Sequence, residues 1–284
     1  MYIFSFNTTV CFIILLILNY ALSKKKLLID NPKLSDHKYK HKKNIPLSGG
    51  IFFILSYFAL STINNNEIVK LFYLFPFFFI GIIADTTEKF SPKLRLILQL
   101  LFIFVLIYFL EIKISSIDLL FFDYYLNHNV FNFFFVSFCL ITVLNGHNLM
   151  DGLNGFVSGN LLLISISIFF IISNNNLVLG NDFHKTVEML ITICLIFFLF
   201  NVFGLCFLGD NGIYIFSLFI SLMVIAFVQK SYDQVSPLVA ASFLWYPAYE
   251  NLFTIIRRFK KNKSISRPDK FHLHILLKNL ILKK

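Results

Sequence analysis

NGHNLMDGLNGF, at residues 145–156, is a polar stretch at the junction of two apolar segments, 130–144 and 152–173. An apolar helix needs about 20 residues to cross a bilayer, and shorter ones occur beside cavities. Amide and ionisable side chains are costly at that depth, so those found there usually have a function. The stretch therefore predicts a membrane-embedded helical fold that carries a polar site.

The composition also indicates a membrane protein. The 284 residues are 57% apolar, include 38 Phe and have a mean hydropathy of +0.76, which is unlike a soluble domain. We expect an all-α, polytopic bundle of about nine transmembrane helices that forms one membrane domain over residues 1–284. The predicted spans are 2–23, 51–63, 68–84, 94–110, 130–144, 152–173, 187–203, 213–229 and 235–256.

Basic residues are unevenly divided between the two sets of connecting segments that nine crossings define. Segments 24–50, 85–95 and 257–284 hold 21 of the 25 Lys and Arg residues. Cytoplasmic loops are enriched in Lys and Arg, so this set is predicted to face the cytoplasm, with a periplasmic N-terminus and a cytoplasmic C-terminus. The expected location is the cell inner membrane. The pI of 9.4 then reflects topology and contact with anionic lipids, and no nucleic-acid partner is expected.

The first apolar segment could instead be a signal peptide, because YALS at 20–23 resembles a cleavage site. No Lys or Arg precedes the segment and three Lys follow it, which is the order expected of a helix inserted with its N-terminus outside. We therefore expect a retained transmembrane helix.

With this topology, the unusual polar clusters all fall on the cytoplasmic side, and the opposite side carries plain polar loops. Besides the stretch at 145–156, the clusters are HKKNIPLSGG at 41–50, GIIADTTEKFSPKLRLILQ at 81–99, NVFGLCFLGDNG at 201–212 and RPDKFHLH at 267–274. This segregation predicts one site that is assembled from five cytoplasmic segments.

The opening stretch contains amides and a carboxylate in a regular pattern. Asn145, Asn148, Asp151 and Asn154 are spaced by three residues, so on a helix they would share one broad face. A carboxylate among amides suits Mg²⁺ or a phosphate-bearing substrate. Helix capping by Asp151 or Asn154 is the alternative, but a helix start rarely needs four such residues.

Two further carboxylates are expected near the same membrane face. Asp210 lies in LGDNG before the eighth predicted helix, where an N-cap is the competing interpretation. Asp85 ends the third helix, where it could be an interface residue with no catalytic role. Together with Asp151 they would supply three carboxylates, which is what binding of a metal-pyrophosphate requires.

Histidines and cations could supply the complementary charge. His272 and His274 alternate as in an extended segment and follow Arg267, which favours phosphate binding over a transition-metal site or a merely solvated basic loop. His41 precedes two Lys and PLSGG, where side chains and the glycine backbone could bind anions. A basic patch against lipid is the alternative there.

Together these motifs resemble glycosyltransferase family 4, the polyprenyl-phosphate N-acetylhexosamine-1-phosphate transferases, which include the phospho-N-acetylmuramoyl-pentapeptide transferase and the enzymes that initiate O-antigen. NxxNxxDGxNG, FLGDxG and PDxxHxH follow the family's order, and YPAYENLFTIIRR at 246–258 resembles the O-antigen-type branch. The sequence departs from the family at Leu47, where Arg is usual, at Ala84 in a common acidic pair, and at Asn154, often Asp. Many relatives also continue further beyond the histidines, so a shortened or less active variant is one expectation.

The resemblance implies transfer of a sugar 1-phosphate from a UDP-activated N-acetylated sugar to undecaprenyl phosphate, with UMP leaving and Mg²⁺ as cofactor, for which Mn²⁺ could substitute. Asp210, Asp151 and Asn148 would bind the metal, and Asp85 would position a substrate phosphate or accept a proton. The implied catalytic residues are Asp85, Asp151, Asp210, His272 and His274, and the implied substrate-binding residues are His41, Asn145, Asn148, Asn154, Arg267 and Asp269.

Three other functions stay open. A transporter would also place polar residues inside a bundle, although such sites tend to lie at the membrane midplane. A transferase that uses a CDP-activated lipid would need further Asp residues after DGLNG, and none follows Asp151 before Asp182. A non-catalytic scaffold is compatible with the departures from the family. The oligomeric state is also open, with a homodimer as one option.

Overall fold

The computed structural model describes residues 2–30, 44–64, 69–87, 90–175, 177–261 and 272–281. Within these ranges the chain forms twelve helices and one small two-stranded sheet. In chain order the elements are α1 (Tyr2–Lys25), β1 (Ile29–Asp30), β2 (Ile45–Pro46), α2 (Gly49–Asn64), α3 (Val69–Phe72), α4 (Phe75–Thr86), α5 (Pro92–Leu110), α6 (Leu120–Leu126), α7 (Asn129–Met150), α8 (Phe156–Asn174), α9 (Asn181–Val202), α10 (Gly209–Lys230), α11 (Leu238–Lys260) and α12 (Leu273–Ile281).

The helical, multi-pass architecture predicted from the sequence is confirmed. Among the described residues, six helices are long and apolar enough to cross a membrane, namely α1, α5, α7, α8, α9 and α10. Helices α2 and α4 are apolar but shorter. Helix α11 covers the ninth predicted span and ends in a basic turn with Arg257, Arg258 and Lys260. The count of nine crossings stays a prediction.

Several helix boundaries differ from the sequence prediction for local reasons. The third predicted span, 68–84, is divided into α3 and α4. Pro76 lies in the first turn of α4, where the missing N–H would have no partner in any case. The short helices α6 and α12 were not predicted, because elements of seven and nine residues give little periodic signal.

Helix α10 is the centre of the bundle. Its most apolar window is 89% buried, whereas the corresponding windows of α1 and α5 are only 22% buried and expose apolar side chains. A Cβ added at Gly81 would lie 2.3 Å from Cα of Asn211, and one at Gly49 would lie 2.6 Å from the carbonyl oxygen of Leu208. Small residues therefore let α4 and α2 pack directly against the backbone at the N-terminal end of α10.

The segment PLSGG is fixed beside the loop that leads into α10. Strand β2 pairs antiparallel with β1, and Leu47 forms a parallel bridge with Phe207. The Leu47 side chain is buried in a small apolar cluster with Ile45 and Phe207. At this position, where the resembling family usually has Arg, the chain therefore has a packing residue.

Candidate active site

The N-terminus of α10 is held by a carboxylate from another helix. Asp85, in the last turn of α4, accepts hydrogen bonds from the backbone N–H of Asp210 (2.7 Å) and Asn211 (3.0 Å) and from Nδ2 of Asn211 (2.5 Å). Oδ1 of Asn211 accepts a further bond from the N–H of Gly50, at the start of α2 (2.7 Å). Asp210 lies in the first turn of α10 and is not its N-cap residue. The structure thus brings Asp85 and Asp210 together through the backbone.

Asp210 also has two side-chain partners that are not among the site residues predicted from the sequence. Nη1 of Arg95 lies 2.7 Å from its Oδ2, and the hydroxyl of Tyr214 donates to the same oxygen at 3.3 Å. Nδ2 of Asn148 donates to the Tyr214 hydroxyl at 3.5 Å. Arg95 could have been noticed from the sequence, because it is the only Arg before residue 257 and lies in an apolar segment. These contacts connect three of the five predicted cytoplasmic segments.

The motif at 145–156 does not lie on one helix. Helix α7 ends at Met150, so Asn145 and Asn148 are helical, Asp151 is the C-cap residue and Asn154 is exposed in the following turn. Nδ2 of Asn145 donates to a carbonyl of its own helix (3.0 Å). The expected common helical face is therefore wrong beyond Met150, because the chain turns at that point.

The start of α8 is organised by Asn201. Gly155 is the N-cap residue of α8 and has a φ of +77°, a backbone conformation that favours glycine. Its N–H and the hydroxyl of Ser158 both donate to Oδ1 of Asn201 at 2.9 Å, and Nδ2 of Asn201 donates to the carbonyl of Cys206 at 2.9 Å. Asn201 thus joins the turn at 151–155 to the loop before α10. Asn201 lies in the polar segment 201–212, but the sequence alone predicts no role for it.

The two histidines share a buried carboxylate, Glu250 of α11. Nδ1 of His272 donates to Oε2 of Glu250 at 3.0 Å, and Nδ1 of His274 lies 3.5 Å from Oε1. The N–H of Leu273 and the hydroxyl of Tyr246 also donate to Oε1, at 2.9 and 3.0 Å. Glu250 is not among the site residues predicted from the sequence, although a carboxylate within the apolar segment 235–256 is a signal of function.

The histidine segment is not extended as the alternation suggested. His272 precedes α12 and His274 lies in its first turn, yet their rings are nearly parallel, with centroids 5.7 Å apart. The His274 ring also packs on Phe156, with centroids 5.2 Å apart. A Cβ added at Gly152 would lie 3.2 Å from Nε2 of His274. His274 therefore lies against the turn that contains Asp151.

His41, Arg267 and Asp269 lie outside the described residues. Within the described part of the chain, no three His, Cys, Asp or Glu side chains are grouped so that they could hold a metal ion by themselves. Mg²⁺ commonly binds through one or two carboxylates together with waters and substrate phosphates. The arrangement is thus compatible with a metal that arrives with a phosphate-bearing substrate.

Relatives of this chain carry names from one class of enzyme. A Bacillus subtilis protein, called a probable undecaprenyl-phosphate N-acetylglucosaminyl 1-phosphate transferase, is 28% identical over 137 residues, which cover 48% of this chain and 37% of that protein. The undecaprenyl-phosphate alpha-N-acetylglucosaminyl 1-phosphate transferase of Escherichia coli K12 is 24% identical over 90% of this chain and 70% of its own length. The protein of that name from Thermotoga maritima is 26% identical over 89% and 73%.

The family itself is identified by a match to a family profile. The sequence profile of glycosyl transferase family 4 matches residues 68–228, more than half of the chain. That range contains Asp85, Arg95, the motif at 145–156 and Asp210, whose contacts are described above. The chain therefore belongs to glycosyl transferase family 4.

Proposed function

We propose that this protein transfers an N-acetylated hexosamine 1-phosphate from a UDP-sugar to undecaprenyl phosphate, releasing UMP and starting a lipid-linked cell-envelope glycan. The names of the relatives describe this type of activity, and UDP-N-acetylglucosamine is the first donor to test. The observation that carries the proposal is the linked set formed by Arg95, Asp210, Tyr214 and Asn148. It joins segments far apart in sequence at one end of the bundle, where a soluble nucleotide sugar could meet a lipid phosphate.

We place this end of the bundle at the cytoplasmic face of the inner membrane, with nine crossings and a periplasmic N-terminus. Asp85, at the end of α4, and Arg95, at the start of α5, flank the loop between these two helices. This loop lies in segment 85–95, one of the three segments rich in Lys and Arg. Cytoplasmic loops are the ones enriched in Lys and Arg. The distribution of 21 of the 25 basic residues therefore supports this orientation.

The metal would be held by Asp210, Asp151 and Asn148. Asn148 and Asp210 both reach the hydroxyl of Tyr214, so their side chains converge on one point, and all three residues offer oxygen ligands, which suit Mg²⁺. Bound to the substrate pyrophosphate, Mg²⁺ would neutralise charge that develops on the departing UMP.

The reaction needs little acid–base chemistry from the protein. An oxygen of the lipid phosphate attacks the phosphorus that carries the sugar, and the bond from this phosphorus to the bridging oxygen breaks, so that the oxygen leaves with UMP. A phosphate monoester has a second pKa near about 6, so the attacking group is mostly ionised at neutral pH. The main task of the side chains is therefore to orient the two phosphates and stabilise their charge.

The contacts support distinct roles for these side chains. Both carboxylate oxygens of Asp85 accept hydrogen bonds, from three N–H groups in total. We therefore propose that Asp85 positions the first turn of α10, including Asp210. Arg95 orients the Asp210 carboxylate. His272 and His274 would contact the phosphate or the transferred sugar.

A reconstituted assay tests this function. The purified full chain is incubated with undecaprenyl phosphate, Mg²⁺ and a panel of UDP-N-acetylated sugars that includes 6-deoxy sugars, and UMP release and the lipid product are measured. We expect turnover of at least one sugar, its loss when Mg²⁺ is chelated, and a fall in kcat of at least about 100-fold for Asp210→Asn. Asp182→Asn, at an exposed carboxylate of α9, is the matched control. Failure of the whole panel, or a wild-type rate for Asp210→Asn, would contradict the proposal.

A further inference from the structure

Glu250 is only 1% exposed, which is unusual for a carboxylate unless several donors compensate for its burial. Four donors face its two oxygens, and they are the Tyr246 hydroxyl, the Leu273 N–H and Nδ1 of His272 and of His274. Three of the four come from the histidine segment. Glu250 therefore fixes the position of this segment relative to α11.

We propose that Glu250 is a positioning residue that holds Nδ1 of both histidines towards α11 and leaves Nε2 of both for the substrate, an inference that rests on the proposed function. An ionised carboxylate can only accept hydrogen bonds, so the nitrogen that faces it must carry the hydrogen. Fixing one ring nitrogen in this way determines which nitrogen is offered to a ligand.

The surroundings of His274 show where the second nitrogen points. Nε2 of His274 is buried and has no hydrogen-bond partner in the described part of the chain. It faces Gly152, next to Asp151, since a Cβ there would be 3.2 Å from this nitrogen. A buried polar atom without a partner destabilises the folded protein, so its persistence indicates a ligand group that forms a hydrogen bond with it. In the proposed reaction, that group is a hydroxyl of the sugar, which can donate to Nε2 when Nδ1 carries the hydrogen.

Ring packing alone could not set this orientation. The His274 ring packs on Phe156 and on His272, at 5.2 and 5.7 Å between centroids, and these contacts fix the plane of the imidazole. A half-turn of the ring about χ2 leaves such contacts almost unchanged, because the rotamers of this bond are broad and roughly two-fold. The hydrogen bonds to Glu250 distinguish the two ring orientations.

The tautomers of the two histidines test the proposal without any assay of activity. Full chain in detergent, labelled with ¹⁵N-histidine, is compared with Glu250→Gln by NMR above the pH at which the rings are charged, and His272→Asn and His274→Asn assign the signals. We expect both rings to carry hydrogen on Nδ1 in the wild type. At least one should change to the Nε2–H form in Glu250→Gln, since the amide has only one acceptor oxygen. Unchanged tautomers in the variant would overturn the proposal.

A double-mutant cycle then tests the consequence for turnover. We expect Glu250→Gln to lower kcat/KM by about 10- to 100-fold in the wild-type background, the size usual for residues that orient functional ligands. It should cause less than about a twofold further loss once both histidines are Ala, because its effect passes through them. Glu188→Gln, at an exposed carboxylate of α9, is the matched control and should keep the wild-type rate. Equal losses in both backgrounds would mean that Glu250 does not act through the histidines. No turnover by the wild type would refute the proposed function alone, and the tautomers would still decide the role of Glu250.

Discussion

Two walls of the candidate site are each organised by a carboxylate, but the donors to these carboxylates come from different parts of the chain. In the carboxylate wall, formed by Asp85, Arg95, Asp210 and Asn211, Asp85 binds the backbone of α10, the central helix of the bundle. In the histidine wall, formed by Tyr246, Glu250, His272 and His274, Glu250 binds a segment that follows its own helix. The contacts of Asp85 join two helices of the bundle, α4 and α10. The contacts of Glu250 instead orient two side chains, His272 and His274. Damage to the carboxylate wall should therefore cost stability and activity together, and damage to the histidine wall mainly activity.

The largest combined effect is expected for Asp85→Ala. The substitution removes the acceptor of the backbone N–H groups of Asp210 and Asn211, and each buried donor left unpaired costs about 1–3 kcal/mol. Nδ2 of Asn211 would keep its weaker bond to the carbonyl oxygen of Leu47. We expect a clear fall in the melting temperature in detergent and a loss of UMP release of at least about 100-fold. Both are measured on the same purified sample.

Two variants show whether the Asp85 contacts cause this loss. Asp85→Asn keeps one acceptor oxygen and should melt between the wild type and Asp85→Ala. Asp182→Ala removes an exposed carboxylate from the first turn of α9 and should change neither property appreciably. A melting temperature of Asp85→Ala equal to that of the wild type would show that the carboxylate wall is not part of the folded core.

The contrast between the walls also explains which features the sequence could predict. The membrane class and most spans follow from local composition, because every crossing must satisfy its own backbone in lipid. Asp85 and Asp210 could be placed at one end of the bundle because both flank apolar segments on the basic side. Their partner Arg95 could not be assigned, since the choice of partner depends on how α5 is rotated against α10. The hydropathy of the sequence does not show how α5 is rotated about its own axis.

The histidine wall was less accessible to sequence reasoning. The period-two spacing of His272 and His274 indicated an extended segment, but the two residues straddle the start of α12, so neither simple period applies. Glu250 lies within a predicted span, where its burial against two histidines could not be distinguished from exposure on another face of the helix. The motif at 145–156 likewise gave the correct residue types but the wrong conformation after Met150.

The same type of substitution, Gly to Ala, can be made beside each of the two walls. A Cβ at Gly81 would lie 2.3 Å from Cα of Asn211 in the carboxylate wall, and a Cβ at Gly146 would lie 2.0 Å from the carbonyl oxygen of Pro247, one turn from Glu250. Overpacking of this kind costs about 1–3 kcal/mol. We expect Gly81→Ala to lower both the melting temperature and the rate. Gly146→Ala should lower the rate with a smaller thermal effect, because α11 lies at the edge of the bundle and exposes Trp245.

The test of the two walls depends on which variant, Gly81→Ala or Gly146→Ala, has the lower melting temperature. Gly180→Ala tests a glycine with open space around it, although its φ of +87° adds backbone strain, so it measures the cost of strain without overpacking. If Gly146→Ala melted at a lower temperature than Gly81→Ala, the histidine wall would belong to the stabilising core and the distinction between the walls would fail.

The smallest effect is expected for Tyr246→Phe, which tests how much one hydrogen bond to Glu250 contributes to activity. The substitution removes one of the four donors to Glu250, at 3.0 Å, and keeps the ring that packs edge-on against Phe156. A hydrogen bond to a charged group contributes about 1.5–3 kcal/mol, but the three remaining donors can compensate for part of this loss. We expect kcat/KM to fall by less than about 10-fold with little change in the melting temperature, measured by UMP release and by the fluorescence of Trp245, the only Trp. A loss as large as that of Glu250→Gln would mean that the hydroxyl itself, which also lies 3.5 Å from Nδ1 of His274, is what orients that ring.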